Sequence, residues 1–182
     1  MVTPHDFKAF WEANGGELTA FPESTFVGVN ISQEAKTFLR NAGMPSSAAP
    51  FLTFNAPKTG SLPTVAEAWG VGDKFSRHYI IGFNGSGDPI AISPMGPVVC
   101  LNHDFGFAEV YINQDISVLA ETLLQCSQLI KRTLEIAGPG AYLNGLVPTN
   151  LKTEFIEFLQ ETDPLALHND AMWAVEISMW VA

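Results

Sequence analysis

Four histidines, two cysteines and a glycine- and serine-rich run near position 85 are the residues here whose types and spacing could do chemistry. Gly82-Phe-Asn-Gly85-Ser-Gly87 has the glycine density of a phosphate-binding loop. Such loops pass from a strand into a helix, so that helix N–H groups meet the anion. Here Pro89 and the alternating Ile90-Ala-Ile92 follow, a strand-like pattern, and no Lys or Arg lies near to pair a phosphate. The run therefore reads as a hairpin turn. Cys100 with His103 offers two metal ligands, and His103-Asp104 offers the pair used by metal-dependent phosphohydrolases. Metal chemistry needs three or four convergent ligands, with each His oriented by a further partner. His5, His78 and His168 share no helical or paired spacing with His103, so Asn102-His103-Asp104 reads as a polar turn between strands. A serine nucleophile needs a strained turn or an adjacent base, and no Gly-x-Ser-x-Gly elbow occurs. Cys100 and Cys126 fall on apolar faces, where a free cysteine behaves as a small hydrophobe. Trp11, Trp69, Trp173 and Trp180 have no interleaved basic residues and belong to the core. The residues by themselves assemble no enzyme and call for no metal or cofactor.

The elements that must position these residues follow from periodicity and punctuation. Thr3-Pro4-His5-Asp6 opens a helix: Thr caps it, Pro takes the first helical position, and Asp lies at the positive end of the dipole. Phe7, Phe10 and Trp11 form its apolar stripe, and Gly15-Gly16 stops it. A second helix starts at Ser32, carries Ala35, Phe38 and Leu39, and ends at Gly43 before Pro45. Ala49 to Phe54 reads as a strand with Phe51 and Thr53 on one face and Leu52 and Phe54 on the other. Thr64 to Trp69 fits a short strand or a turn of helix. From His78 to Asn113 three short apolar runs are separated by Gly, Asn, Pro and Asp, an antiparallel meander. Tyr79 and Ile81 should face one side of it, Ile80 and Gly82 the other. Asn113 or Asp115 caps a long helix reaching about Ala137, where Gly138-Pro139-Gly140 cannot continue it. Another helix begins near Thr149 or Asn150. Asp163-Pro164 opens a turn, and Asn169 caps a terminal helix with Met172, Trp173, Glu176, Met179 and Trp180. The expected fold is α+β: a central, mainly antiparallel sheet flanked by N- and C-terminal helices, in one domain over 1–182.

Charge narrows the function classes. Nine basic against nineteen acidic residues give a formal net charge of −10. No Lys or Arg occurs between His78 and Ile130, where Asp88, Asp104, Glu109, Asp115 and Glu121 fall, or after Lys152, where Glu154, Glu157, Glu161, Asp163, Asp170 and Glu176 fall. Such a chain repels nucleic acid, whose phosphates require basic partners. The acidic surface serves solubility, or it steers and holds a basic protein partner. No apolar run approaches the roughly 18 residues of a membrane span, and the N-terminus lacks the order of a secretory signal. Two cysteines without metal-type spacing fit a reduced, cytoplasmic protein.

Three groups of residues together carry a resemblance. They are His78-Tyr-Ile-Ile-Gly-Phe-Asn-Gly-Ser-Gly-Asp-Pro-Ile-Ala-Ile92 with Val98 to Asp104; Val110-Tyr-Ile-Asn113 with Ser117 to Leu124; and Asp163-Pro164-Leu165 with Met172-Trp173-Ala-Val-Glu176-Ile177. This pattern resembles the SUKH superfamily, in particular its fourth immunity-protein family, over roughly Pro50 to Ile177. Met172 stands where that family places the first of an aromatic–Trp pair. The resemblance implies a sheet flanked by helices and a bacterial antitoxin that binds a polymorphic toxin directly, often a nuclease or a nucleic-acid deaminase. An acidic surface suits the basic groove of such a toxin. The contact residues expected on that reading lie at the turns of the meander: Asn84, Asp88, His103, Asp104 and Phe105. Turn formation is the plainer role for Asn84 and Asp88. Superfamily members also serve as scaffolds or regulators, so a scaffold or ligand-binding module without a toxin is the rival reading. A free sheet edge could further join two copies of the chain.

Overall fold

A computed structural model describes residues 1–181. Its centre is a five-stranded antiparallel meander, β3 (Leu52–Phe54), β4 (Tyr79–Asn84), β5 (Pro89–Ile92), β6 (Val98–Asn102) and β7 (Ala108–Asn113), whose spatial order is the chain order. Two short strands, β1 (Leu18–Thr19) and β2 (Met44–Pro45), pair separately. Among the described residues six α-helices accompany the sheets: α1 (Pro4–Ala13), α2 (Gln33–Asn41), α3 (Val65–Trp69), α4 (Ile116–Ala137), α5 (Thr149–Thr162) and α6 (Met172–Ser178). The α+β architecture expected from the sequence is the one observed.

Both faces of the sheet are covered, which is why its strands are apolar almost without alternation. Ile81, Ile90, Ile92, Val98, Cys100 and Ile112 enter the main core with Phe7, Phe38, Leu119, Leu123, Phe155 and Trp173 from the helices. Ile80, Ala91, Val99 and Leu101 point the other way, into a smaller cluster with Val65, Phe75 and Phe107 and with Trp69 packed at its side. The alternation expected for Tyr79, Ile80 and Ile81 holds, but the register shift between Ile80 and Gly82 puts Gly82 on the Ile81 face, opposite Ile90 and Phe54, instead of the Ile80 face. Gly82 is required there by its neighbours. A Cβ on it would lie 2.3 Å from the Thr53 carbonyl oxygen on β3.

The ends of the elements obey local chemistry. Thr3, Ser32 and Asp115 accept N–H bonds at the starts of α1, α2 and α4. The segment left between strand and helix, Thr64 to Trp69, forms α3. Thr64 and Glu67 make a reciprocal capping box, and Gly70 closes the helix in the left-handed region. Two details differ from the sequence reading. Phe51 does not share a strand face with Thr53, because β3 begins only at Leu52 and Phe51 itself has φ 57° and is 73% exposed. Asn169 does not cap α6. The backbone N–H of Ala171 bonds the His168 carbonyl, and buried Ala171 becomes the residue before the first helical turn.

Candidate functional site

The five residues expected to face a partner come from two turns, and the meander brings both to one end of the sheet. The β4–β5 hairpin carries Asn84 and Asp88; the β6–β7 connection carries His103, Asp104 and Phe105 in a single 3-10 turn. Asn84 builds the first turn: its Oδ1 accepts from the N–H groups of Ser86 and Asp88, each at 2.9 Å. Asn102 builds the second in the same way, its Oδ1 accepting from Asp104 and Phe105 at 3.1 and 3.2 Å. Gly106, with φ 64°, ends it, and Phe107 then anchors the chain in the smaller core.

Asp88 joins the two turns. Its Oδ1 accepts from the His103 backbone N–H at 3.0 Å and faces His103 Nδ1 at 2.6 Å. Its Oδ2 accepts from Asn84 Nδ2 at 2.9 Å. Asp88 is only 6% exposed. Burial pushes its carboxyl upward, but the bonds from the His103 backbone, the Asn84 amide and the His103 ring together hold it below the usual carboxylate range. The other ring nitrogen of His103, Nε2, lies 3.5 Å from Asp104 Oδ1. The network runs Asn84, Asp88, His103, Asp104, with Asp88 its most buried member and exposure rising from there to Asp104. Asn84 and Asp88 are framework, His103 is partly exposed, and Asp104 is open to solvent. Phe105 stands beside them with 76% of its surface exposed. The turn thus leaves an aromatic ring and a carboxylate largely in water, the carboxylate with only the His103 ring beside it.

The chemistry considered from sequence is distributed otherwise. The glycine run is the β4–β5 hairpin turn, leading into a strand with no helix behind it. Cys100 lies against Asn84 Nδ2 at 3.4 Å and has no contact with the His103 ring. Burial, and then the nearby Asp88 charge, push its thiol up to about 12, and burial likewise raises Cys126 to about 12. Among the described residues no three His, Cys, Asp or Glu side chains converge as a metal site. His78 is buried with Nε2 on Glu109 Oε1 at 3.0 Å, and its Nδ1 has no hydrogen-bond partner in the protein.

One polar cluster was not visible in the sequence as such. Asp163, 1% exposed, accepts from Tyr111 Oη at 2.8 Å, Asn113 Nδ2 at 3.0 Å and the Gln114 N–H at 3.0 Å. Asn113 Oδ1 in turn accepts from the Trp173 indole at 3.0 Å. This cluster ties β7, α5 and α6 together. A second carboxylate, Glu176, accepts from Tyr142 Oη at 2.7 Å and Trp180 Nε1 at 3.2 Å. Burial, with these negative neighbours, holds both tyrosine hydroxyls well above their ordinary range. The only hint in sequence was the Asp-Pro and Trp-x-x-Glu spacing of the closing segment. Both clusters hold elements together and lie away from the meander turns.

A meander covered by helices on one face and a short cap on the other, with its free polar groups gathered on rigid turns, defines a small α+β domain of the SUKH type. Residues 6–178 match the family model described as SUKH-4 immunity protein, and the chain belongs to that family. No curated protein and no solved structure matches it. Its role is that of an immunity-protein family, whose members are paired with toxins. No described helix is long and apolar enough to cross a membrane.

Proposed function

We propose that this protein neutralises a basic toxin that acts on nucleic acid, a nuclease or a deaminase, by covering its phosphate-binding groove. The observation that carries the reading is the solvent-exposed pair Asp104 and Phe105. It is held on a turn fixed from behind by Asp88 and lies within a stretch, His78 to Ile130, without a single Lys or Arg. A net charge of −10 speeds encounter with a basic groove and orients it, while affinity rests on a few buried anchors. Phe105 is the anchor, Asp104 the charge beside it, and His103 the adjoining donor. Asn84 and Asp88 act indirectly, by keeping that turn in one conformation before binding. The complex forms without nucleic acid, cofactor or metal, in the cytoplasm of the toxin-producing cell.

The test is capture of the product of the adjacent upstream gene by the purified protein at low and at high salt. Tight capture that weakens with salt, and that falls on Asp104→Lys, supports the reading. Capture indifferent to salt and to Asp104→Lys removes the acidic surface from it, and no capture by folded protein favours the scaffold role.

A further inference from the structure

A second surface has the opposite character. Three uncharged stretches, 41–57, 136–151 and 177–181, meet at the C-terminal end of α4. There Phe51, Leu134 and Leu143 border a groove of about 390 Å³ floored by Ile130 and Tyr142. The surface continues past Leu143. Leu146 is bridged to Val181, whose N–H donates to the Gly145 carbonyl at 2.7 Å, and the Met179 carbonyl lies where a Cβ on Gly145 would stand. Phe51 is 73% exposed, Leu143 75%, Met179 and Val181 57% each, Leu146 50% and Leu134 39%. The nearby carboxylate of Glu176 is half-buried and accepts from Tyr142 and Trp180; it keeps its charge but is engaged within the fold. With aromatic side chains burying about 150–250 Å² and aliphatic ones somewhat less, these six expose roughly 600–700 Å². That exceeds the largest apolar patch on most monomers, about 300–600 Å². It approaches the roughly 800 Å² per partner of a standard interface, before the backbone around the groove is counted.

We infer that this face joins two copies of the chain in a two-fold dimer. Charge selects the occupant. Two molecules that each carry −10 repel one another wherever their acidic surfaces meet, and this face is where they can approach without opposed carboxylates. A basic toxin gains little from its own charge here, because the three stretches that form the face carry no carboxylate and Glu176 beside them is already engaged. Shape agrees with a second copy: the face presents projecting side chains, Phe51 and Leu143, beside a groove wide enough for an aromatic ring. An isologous contact sets each projection into the partner's groove. The His103–Phe105 turn lies across three strand spacings from β3, about 14 Å away. At its Phe51 end the patch meets the β4–β5 hairpin, where a Cβ on Gly85 would lie 3.1 Å from Phe51 Cβ, so it borders the candidate site without including the His103–Phe105 turn.

Sedimentation velocity and light scattering on the full chain test this directly. The expected particle has twice the 19.7 kDa chain mass. Raising salt should tighten it, since repulsion is screened while apolar burial persists; toxin capture has the opposite salt dependence. Leu143→Asp and, separately, Phe51→Asn should each weaken association, the first by about 100-fold, as expected for a charge placed in a buried anchor position. Both side chains are exposed, so the far-UV spectrum should be unchanged, while the melting temperature loses the protein-concentration dependence that a dimer confers. Asp104→Lys should leave the dimer intact. A wild-type chain monomeric at 100 µM overturns the inference, and so does a dimer that survives both substitutions. Neither result bears on toxin capture, which is measured separately.

Discussion

Replacing Asp88 by Asn tests the reasoning about the candidate site most sharply, because the two side chains have the same shape and differ in charge and donor pattern. Asp88 accepts three hydrogen bonds, one from Asn84 and two from His103. An Asn at this position can keep its oxygen toward His103 only by turning its NH2 toward Asn84 Nδ2, itself a donor. Asn84 cannot flip in response, since its Oδ1 already holds the N–H groups of Ser86 and residue 88. One bond becomes a donor–donor contact and the other two lose their charge. Bonds to a charged acceptor contribute about 1.5–3 kcal/mol each, and partial access of His103 to water moderates the loss. The expected destabilisation is about 2–3 kcal/mol. Urea unfolding followed by tryptophan fluorescence measures it directly. The pH dependence has a definite sign. The folded-state carboxyl is held below its ordinary value of 3.8. Its stabilisation is therefore complete above the unfolded value and is lost as pH falls through the lowered folded value. The gap between wild type and Asp88→Asn should accordingly narrow between about pH 5 and pH 3. A loss under about 1 kcal/mol at pH 7, or a gap undiminished at pH 3, would refute the account of Asp88 as the charged tie between the two turns.

Other outcomes follow from the same geometry. Phe105→Ala should weaken toxin capture by about 30-fold or more without altering stability, because the ring is exposed in the free protein; surface plasmon resonance beside a thermal melt separates the two effects. Asp163→Ala leaves three donors without their acceptor, the buried Asn113 amide among them, and should cost about 2–4 kcal/mol in urea unfolding, whereas Tyr111→Phe, which removes one of them, should cost about 1 kcal/mol. Cys100 and Cys126 are buried thiols raised to about 12, so neither should react with iodoacetamide at pH 8 in folded protein. Both should react within minutes in 8 M urea, and rapid labelling without denaturant would show the thiols more open than the fold allows.

Much of the fold was decided locally and could be read locally. Thr3, Ser32 and Asp115 start helices because an oxygen two or three residues before the first free N–H groups is sufficient, wherever the helix later packs. The meander was legible because glycine, asparagine and proline mark its turns and because short antiparallel connections leave each strand beside its sequence neighbour. The turn residues Asn84, Asp88, His103, Asp104 and Phe105 could be named in advance for the same reason. Which of them face solvent could not. Asp88 and Asp104 are the same residue type, each in a turn of the meander, yet one is enclosed by two converging turns and the other is not. Phe51 reads as a strand residue and is an exposed one, because the chain takes a left-handed step just before β3. The Asp163 cluster joins residues about 50 positions apart, and the groove at Phe51 and Leu143 joins segments about 90 apart. Local pattern fixes the state of each backbone segment through bonds a few residues long. The surroundings of a side chain depend on segments brought together by burial of the whole core, and those only the tertiary structure decides.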